Sequence, residues 1–259
     1  MRQGRKPKLQ MHGQPKTRSA SPLDLPPPFS LVTLREIGDA FAHAQAIAPE
    51  AGAGTLVHVG RFDLSKFAVV LEPDEPLASC RRAFHVCMVA LYDALLAHAP
   101  PERPIEIRWP DAIYIDNGLV GGGRLAWPAG TAESDVPDWL VFGASIRLVS
   151  LSTQEAGLRP LATALEEEGF DDLGSGRLVE SFARHLMLAI DAWRAGELAV
   201  VTRQYVDRLR VEKGAIPALS REGDLLVRWR GKAEPDRQSL ADALATPSWL
   251  DPATGGPRA

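Results

Sequence analysis

The sequence predicts an α/β protein of the α+β type, in which helices flank a mostly antiparallel mixed sheet and a small C-terminal β-rich module follows. Three observations support this prediction. A hairpin pattern surrounds Asp116-Asn117-Gly118, apolar residues recur at helical spacing in several segments, and Pro and Gly become frequent beyond residue 210. The sequence contains no phosphate loop, no dinucleotide-binding fingerprint and no paired-cysteine metal site.

The composition is that of an ordinary globular protein. Of the 259 residues, 45% are hydrophobic and 24% are charged, and the net charge is −4. This leaves ample apolar material for a core and gives no overall attraction to nucleic acid or to a membrane. No apolar run approaches the roughly 20 residues that span a bilayer, and the N-terminus lacks the apolar segment of a signal peptide. We therefore expect a cytoplasmic protein with no membrane partner and no specific nucleic-acid partner.

The chain divides into three predicted parts: a disordered basic tail (1–27), a main domain (28–210) and a small C-terminal module (211–259). Residues 1–23 carry six Lys or Arg and no acid. Such a segment buries too little apolar surface to offset the entropy lost on ordering. A solvated extension is the favoured interpretation, and contact with nucleic acid or an acidic partner is the alternative.

Hydrophobic periodicity predicts the elements of the main domain. Helices are expected over 33–47, 76–98, 176–195 and 197–209, with a short acidic helix around 161–168. Strands are expected at 55–59, 67–71, 105–108, 112–115, 124–127, 136–149 and, in the C-terminal module, 224–229. Cys80 and Cys87 are seven residues apart in a helical pattern, which favours core residues over a disulfide or a nucleophile.

The stretch between Arg108 and Trp127 is the centre of the prediction. Asn117-Gly118 between β-branched and aromatic residues indicates a tight hairpin turn. Gly121–Gly123 lies in the returning strand, where missing side chains let another backbone or a ligand approach closely. Trp109-Pro110 belongs at a strand start, because proline cannot donate to a strand ladder. We interpret this hairpin as one wall of a ligand site.

The same hairpin resembles the signature motifs of the biotin/lipoate protein ligases. In that family Lys-Trp-Pro-Asn-Asp leads into a strand, and Lys-Leu-Ala-Gly-Ile-Leu returns. Residues 108–112 (Arg-Trp-Pro-Asp-Ala) match the first motif, and residues 119–125 (Leu-Val-Gly-Gly-Gly-Arg-Leu) match the second. The strand at 139–148 is similar to the family's ligand strand, whose small residues border the ligand. The resemblance covers roughly residues 28–210 and implies the class II synthetase and biotin ligase-like fold.

The resemblance implies a ligase that activates a small carboxylic acid, biotin or lipoate, with ATP and Mg²⁺, then transfers it to a carrier-domain lysine. A homodimer is compatible with this reading. The implied catalytic cations are Arg108, Arg124 and Arg147, and Asp111 is the candidate Mg²⁺ ligand. The implied ligand-binding and adenylate-binding residues are Arg61, Trp109, Pro110, Asp111, Gly121, Gly122, Gly123, Gly143, Ala144 and Ser145.

Several positions depart from the family pattern. The family's adenylate-contacting lysine falls on Leu119, and the Gly/Arg-rich loop that folds over the adenylate is reduced to the turn 60–63. Arg147 stands where the family has asparagine; it could pair with Asp111, replace the lost charge or face solvent. Two alternatives therefore stay open. One is a ligase-fold binding or regulatory module without adenylation. The other is an ATP-independent acyl transferase, for which Lys66 is the nearest lysine.

Overall fold

The computed structural model describes residues 23–151 and 161–258, and within them a seven-stranded sheet organises the main domain. Its strands are β1 (Ser30–Leu34), β2 (Thr55–Gly60), β3 (Leu64–Leu71), β4 (Ile105–Arg108), β5 (Ala112–Ile115), β6 (Gly118–Ala126) and β7 (Leu140–Arg147). Their spatial order is β1-β2-β3-β7-β6-β5-β4. Only β1 and β2 of this sheet pair in parallel, which confirms a mostly antiparallel mixed sheet.

Helices cover both faces of the sheet. They are α1 (Ala40–Ala51), α2 (Leu77–Cys80), α3 (Ala83–Leu96), α4 (Ser175–Ala192) and α5 (Leu198–Asp207), with a π-helical turn (Trp193–Glu197) joining the last two. On one face α3, α4 and α5 enclose the main core, where the rings of Phe142 and Phe182 stack at 5.8 Å. On the other face α1 packs Ala40, Ala44 and Ala48 against strands β2, β3 and β7. No helix among the described residues is both long and apolar enough to cross a membrane.

The N-terminal part of the domain differs from the sequence prediction. Residues 33–39 do not join a helix: Ser30–Leu34 forms a strand along β2, and α1 begins only at Ala40. The Asp39 carboxylate fixes that start by accepting hydrogen bonds from the backbone N–H groups of Phe41 (3.0 Å) and Ala42 (3.2 Å). Leu23 and Leu25, assigned to the tail from sequence, pack against the main core, whereas residues 1–22 lie outside the described residues.

Two helix predictions are also corrected. The single helix expected over 76–98 is two helices, α2 and α3, that break at Arg81-Arg82. The acidic helix expected around 161–168 is a set of turns. There the Glu167 carboxylate accepts from the Ala164 N–H (3.1 Å), and the Thr163 hydroxyl donates to Glu168 (2.7 Å). Such side-chain bonds compete with helical hydrogen bonding and favour a turn.

The predicted central hairpin forms, with its two turn residues one position earlier than the Asn117-Gly118 pair that predicted it. Asp116 and Asn117 both have positive φ, 45° and 68°, as a two-residue type I′ turn requires. The returning strand β6 starts at Gly118 and includes all three glycines of the triplet. Trp109-Pro110 is a cis peptide in the turn between β4 and β5.

The C-terminal module is built on the main domain. Strands β8 (Ala215–Leu219), β9 (Leu225–Trp229) and β10 (Asp236–Gln238) form an antiparallel sheet, followed by helix α6 (Leu240–Ala245). Leu225, Val227, Leu240 and Leu244 belong to the same buried cluster as α3 and α4. The chain then forms a short hairpin from β11 (Leu250–Asp251) and β12 (Gly256–Pro257).

Candidate functional site

A row of directly paired residues crosses the sheet and organises the candidate site. Lys66 pairs with Ser145, Ser145 with Gly122, Gly122 with Ala112, and Ala112 with Arg108. Residues directly opposite each other in antiparallel strands project to the same face. This set, called here the central row, therefore carries a cation at each end, about 19 Å apart at a strand spacing of about 4.8 Å, with small residues between.

The neighbouring rows add two more cations to the same face. On one side Ala68 pairs with Gly143 and Gly143 with Arg124; on the other, Leu64 pairs with Arg147. Gly143 and Arg147 are four residues apart along β7, so Arg124 and Arg147 lie on opposite sides of the central row, separated by about 13 Å along the strands. Arg124 and Arg147, both named from sequence as catalytic cations, therefore do not converge on one point in this conformation.

Some residues assigned to the ligand site from sequence face the opposite side of the sheet. The Trp109 ring lies 5.6 Å from the His85 ring and 6.2 Å from the Tyr205 ring, in the main core. The Pro110 carbonyl accepts a 2.7 Å hydrogen bond from the Tyr205 hydroxyl. Ala144 also belongs to the main core. For Ala144 the alternation of side chains along β7 explains this, because neighbours in sequence point to opposite faces; Trp109 and Pro110 lie in the turn between β4 and β5.

The glycine triplet permits three close approaches, and only one of them concerns the site face. A Cβ on Gly121 would lie 1.9 Å from the Ser145 carbonyl oxygen, and one on Gly123 would lie 2.7 Å from the Met88 sulfur in the main core. A Cβ on Gly122 would lie 2.1 Å from the Asp111 carbonyl oxygen and 2.4 Å from Cδ1 of Trp249. The triplet does admit a close neighbour, and on the site face that neighbour is a tryptophan of the chain itself.

Trp249 belongs to a segment that sequence reasoning did not place. Residues 248–258, called here the C-terminal strap, lie over the central row. The Trp249 side chain is 1% exposed, packs with Ala112 and Leu119, and donates its indole N–H to the Gly123 carbonyl at 3.0 Å. From sequence the strap is assigned only to the C-terminal module (211–259), in which Ser248-Trp-Leu-Asp-Pro-Ala-Thr-Gly-Gly256 does not fit the pattern of the small barrel that follows the main domain in the resembled family.

Asp111 is fully buried beneath the strap. Its two carboxylate oxygens accept hydrogen bonds from the Ser248 N–H (3.0 Å) and the Ser248 hydroxyl (2.6 Å). Burial raises the pKa of Asp111 to about 6, against the opposing effect of the two bonds from Ser248. Because both oxygens are engaged, and the described residues contain no group of three His, Cys, Asp or Glu that could hold a metal, Asp111 does not fit a Mg²⁺ site in this conformation.

The four arginines named from sequence all have partners within the chain. Arg147 donates to the carbonyls of Leu119, Thr163, Pro257 and Arg258, so it neither pairs with Asp111 nor points into solvent. Arg124 lies over the Phe41 ring at 4.0 Å and 3.3 Å from the Asp39 carboxylate.

The other two arginines are held in the same manner. Arg108 lies over the Tyr114 ring at 3.6 Å. Arg61, in the short turn between β2 and β3, donates from Nε to the Asp63 carboxylate at 2.9 Å. All four guanidinium groups are therefore positioned by contacts within the chain, and a ligand would have to share these groups or replace their partners.

Lys66 and Ser145 differ from these arginines. Ser145 is 5% exposed, and its hydroxyl has no hydrogen-bond partner among the described residues. The half-buried Lys66 forms no ion pair or hydrogen bond with any residue that the structure describes. Burial lowers the pKa of Lys66, with a further lowering from the charges of Arg61 and Arg124, while Asp39 and Asp63 oppose the shift. This cross-strand pair retains unused donors within the site.

The buried thiols and the imidazole of α2 and α3 lie in the main core, away from the site face. Burial raises the pKa of Cys80 to about 11 and also raises the pKa of Cys87. Burial lowers the pKa of His85 to about 4, and its Nε2 lies 2.8 Å from the Gly223 carbonyl oxygen. The prediction that both cysteines are core residues is confirmed, and neither one supplies a thiolate to the site.

The comparisons with known proteins agree with this fold. A family model described as the biotin/lipoate A/B protein ligase family matches residues 25–207. A biotin protein ligase-like protein of unknown function from Silicibacter sp. TM1040 is 28% identical, with a TM-score of 0.75 over 87% of this chain and 100% of that chain. Biotin protein ligase from Aquifex aeolicus is 15% identical, with a TM-score of 0.63 over 81% of this chain and 95% of that chain.

The complex of the Aquifex aeolicus enzyme with biotin and ATP gives a similar result, with 14% identity and a TM-score of 0.61 over 80% of this chain and 94% of that chain. No curated protein matches the chain. The family model covers more than half of the sequence, including the central hairpin and strand β7. The chain therefore belongs to the biotin/lipoate A/B protein ligase family.

Proposed function

We propose that this protein binds a small carboxylic acid, of the size of biotin or lipoate, on the central row and transfers it as an activated acyl group to a lysine of a carrier protein. Family membership supports the general reaction. The Aquifex aeolicus biotin protein ligase, whose fold this chain shares, has been solved in complex with biotin and ATP. Biotin, lipoate and octanoate are the acids to be tested first.

The observation that carries this proposal is the unsatisfied pair of Ser145 and Lys66. A buried hydroxyl without a hydrogen-bond partner destabilises the folded protein. A carboxylate oxygen that accepts a hydrogen bond from the Ser145 hydroxyl would remove that cost. The Lys66 ammonium, directly opposite on β3, is placed to donate to the same carboxylate. The apolar body of the acid is assigned to the space over Gly122, which Trp249 occupies in this structure.

In the proposed activation step, a carboxylate oxygen of the acid attacks the α-phosphorus of ATP, and pyrophosphate leaves. In the transfer step, the amine of the carrier lysine attacks the acyl carbon, and AMP leaves. Negative charge develops on phosphate oxygens in the first step, and cations fixed around the site are the groups that stabilise it. Lys66, Arg124 and Arg147 are the cations of three adjacent strands on this face. No step is assigned to Mg²⁺, because Asp111 does not fit a metal site.

A second candidate function is a ligand-binding or regulatory module that does not form an adenylate. The observation favouring it is that Arg61, Arg124 and Arg147 are already bound to partners within the chain. The short turn of β2 and β3 also leaves few backbone N–H groups to surround a phosphate. An ATP-independent transferase has less support, because neither buried cysteine can act as a nucleophile at this site and Lys66 would have to serve alone.

Calorimetric titration with biotin, lipoate and octanoate, each with and without ATP, tests the proposal. We expect one of the acids to bind and the Lys66→Met variant to bind it at least about tenfold more weakly, because one charge-assisted bond is lost. Lys66→Arg should retain part of the affinity. Lys232→Met is the matched control, since Lys232 pairs with Asp236 in the C-terminal module, remote from the site.

Pyrophosphate exchange separates the two candidate functions. Exchange dependent on the bound acid supports the ligase, whereas binding without exchange supports the binding module. If none of the three acids binds, or if Lys66→Met binds as tightly as the unmodified protein, the proposed site is wrong.

A further inference from the structure

The C-terminal strap, residues 248–258, covers the same residues that the proposed function assigns to a ligand. We infer that the strap is an intramolecular occupant of the ligand site, and that a carboxylic acid must displace it in order to bind. This inference rests on the proposed function for the identity of the ligand. It goes beyond that function because it makes the accessibility of the site depend on a segment of the chain itself.

Trp249 fills the space that the glycine in the central row creates. Its ring lies so close to Gly122 that an added Cβ there would be 2.4 Å from Cδ1 and 2.5 Å from Nε1. Ala112 and Leu119 contact the ring, and the indole N–H donates to the Gly123 carbonyl at 3.0 Å. The pocket thus holds a flat, largely apolar bicyclic group with one hydrogen-bond donor, and a small-molecule ring of similar shape would compete for the same space.

The strap also forms hydrogen bonds with two charged groups of the site, Asp111 and Arg147. Ser248 donates twice to the Asp111 carboxylate, and the Arg147 guanidinium donates to the carbonyls of Pro257 and Arg258 at 2.8 Å each. Gly255 lies beside the Lys66 amine, and Gly256 lies beside Leu64. A ligand carboxylate is a stronger acceptor for Arg147 than a backbone carbonyl is, so an acid can replace these strap contacts.

The strap is held to the sheet in a way that allows it to leave as a unit. Its backbone hydrogen bonds are internal: β11 pairs with β12, Arg258 N–H donates to Trp249, and Gly255 N–H donates to Asp251. Among the described residues, no backbone-to-backbone hydrogen bond joins the strap to the seven-stranded sheet. Release of the strap would break side-chain contacts and leave every strand ladder of the domain intact.

The strap is an incomplete occupant of the site. With the strap in place, the Ser145 hydroxyl is buried and without a partner among the described residues. A carboxylic acid that reaches Ser145 satisfies this group, which the strap does not do. This difference supplies a driving force for exchange of the strap by a ligand.

Two measurements on the full-length protein test the inference: hydrogen–deuterium exchange of peptides covering 248–258, and calorimetric titration with biotin, lipoate and octanoate. In the unmodified protein, the acid that binds should accelerate exchange in the strap. Trp249→Ala should accelerate strap exchange without ligand and tighten binding of the acid at least about tenfold, because the site is then open in a larger fraction of molecules. Ser248→Ala should act in the same direction with a smaller effect.

Trp139→Ala is the matched control. Trp139 packs against the cluster covered by α1, so this substitution removes a ring of the same size at a position away from the strap. It should leave both strap exchange and acid affinity unchanged. Circular dichroism and thermal unfolding establish that each variant is folded, and Ser248→Ala carries the test if Trp249→Ala is not.

The outcomes separate the inference from the proposed function. Equal or weaker acid binding by Trp249→Ala and Ser248→Ala, or slower strap exchange when the acid binds, overturns the inference and leaves the acid site standing. In that case the strap is a lid that closes over the ligand. A third outcome is that Trp249→Ala shows rapid strap exchange but binds none of the three acids. This outcome overturns the proposed function and the displacement of the strap by an acid. It would still show that the strap can be released.

Discussion

The two halves of the site-facing side of the sheet are covered by segments of opposite character. Over β2, β3 and β7, helix α1 presents Ala40, Ala44 and Ala48 to a layer of buried valines and alanine. Over β5 and β6, the C-terminal strap presents Trp249 and a set of hydrogen bonds to Asp111 and Gly123. The boundary between them lies near Gly143, whose open face is filled by Phe41 of α1.

This difference separates a permanent cover from one that can be exchanged. The contacts of Ala40, Ala44 and Ala48 with the sheet are apolar, so no ligand group and no change of protonation offers these three residues a better partner than the one already present. The contacts of the strap include a buried carboxylate, an arginine and a carbonyl, all of which can bind other molecules. We expect substitutions in the two halves to change the free energy of unfolding by different amounts. We also expect each to change hydrogen exchange in the segment that covers its own half.

The largest effect is expected from Gly122→Ala, compared with the same substitution at Gly143. The new Cβ at position 122 meets the Asp111 carbonyl oxygen at 2.1 Å in addition to Trp249, and backbone cannot move aside as a side chain can. At position 143 it meets only the Phe41 ring, nearest at 2.4 Å. We expect Gly122→Ala to lower the free energy of unfolding by about 3 kcal/mol, and Gly143→Ala by about 1 kcal/mol.

Urea denaturation measures both free energies of unfolding, and hydrogen exchange locates the response. Gly122→Ala should accelerate exchange in 248–258, and Gly143→Ala should do so in 40–51. Similar losses in the two variants, or a response of the strap to both, would show that the two covers are not distinct.

A second effect concerns pH. The pKa of Asp111 is raised to about 6 beneath the strap, whereas an exposed aspartate titrates near 3.9. Asp111 therefore binds its proton more tightly when the strap covers the site, the strap-closed state, than when the strap is released. The protonated carboxyl contributes full stability to that state below about pH 4, and the contribution is lost as pH rises through about 6. The difference corresponds to roughly 2–3 kcal/mol, so the strap should open more readily at pH 7.5 than at pH 5.

Hydrogen exchange of the strap, corrected for the intrinsic pH dependence of amide exchange, measures this effect. Helix α1 is the internal control, because its Ala40, Ala44 and Ala48 pack against buried valines and an alanine of the sheet. Asp111→Asn should make the corrected strap exchange independent of pH over the same range. A strap that opens more readily at pH 5 would contradict the prediction.

The smallest effect is expected from deletion of residues 1–22. Their composition offers little apolar surface, so the free energy of unfolding should change by less than about 1 kcal/mol. Hydrogen-exchange rates in helix α1 and in the C-terminal strap should not change. Extending the deletion through Leu25 is the contrasting variant, because Leu23 and Leu25 pack against the main core and Asp24 pairs with Arg184. A large loss of stability from the shorter deletion would show that the tail packs on the domain.

Local sequence determined the elements whose hydrogen bonds and turn chemistry are local. The hairpin at 112–126 follows from Asp116-Asn117-Gly118, because a two-residue turn needs positive φ values, which Asp116 and Asn117 adopt. The amphipathic helices α4 and α5 follow from apolar residues at helical spacing. The family resemblance carried by residues 108–125 was also readable, and it led to the fold.

Local sequence patterns predicted the wrong structure where a residue distant in sequence determined the secondary structure or the face of the sheet. Residues 33 and 34 begin the pattern that predicted a helix over 33–47, yet β2 supplies a parallel partner and 30–34 forms a strand. Ala144 belongs to the main core because the register of β7 places neighbouring residues on opposite faces of the sheet. Trp109 reaches the same core from the turn between β4 and β5.

What only the tertiary structure decided is the occupancy of the site. Ser248 meets Asp111 across a sequence separation of 137 residues, and Trp249 meets Gly123 across 126 residues. Patterns within a turn or a helix report interactions over a few residues, so they contain no information on such contacts. The sequence by itself identified the glycine that admits a close neighbour, but only the folded chain shows that its own C-terminal strap takes that place.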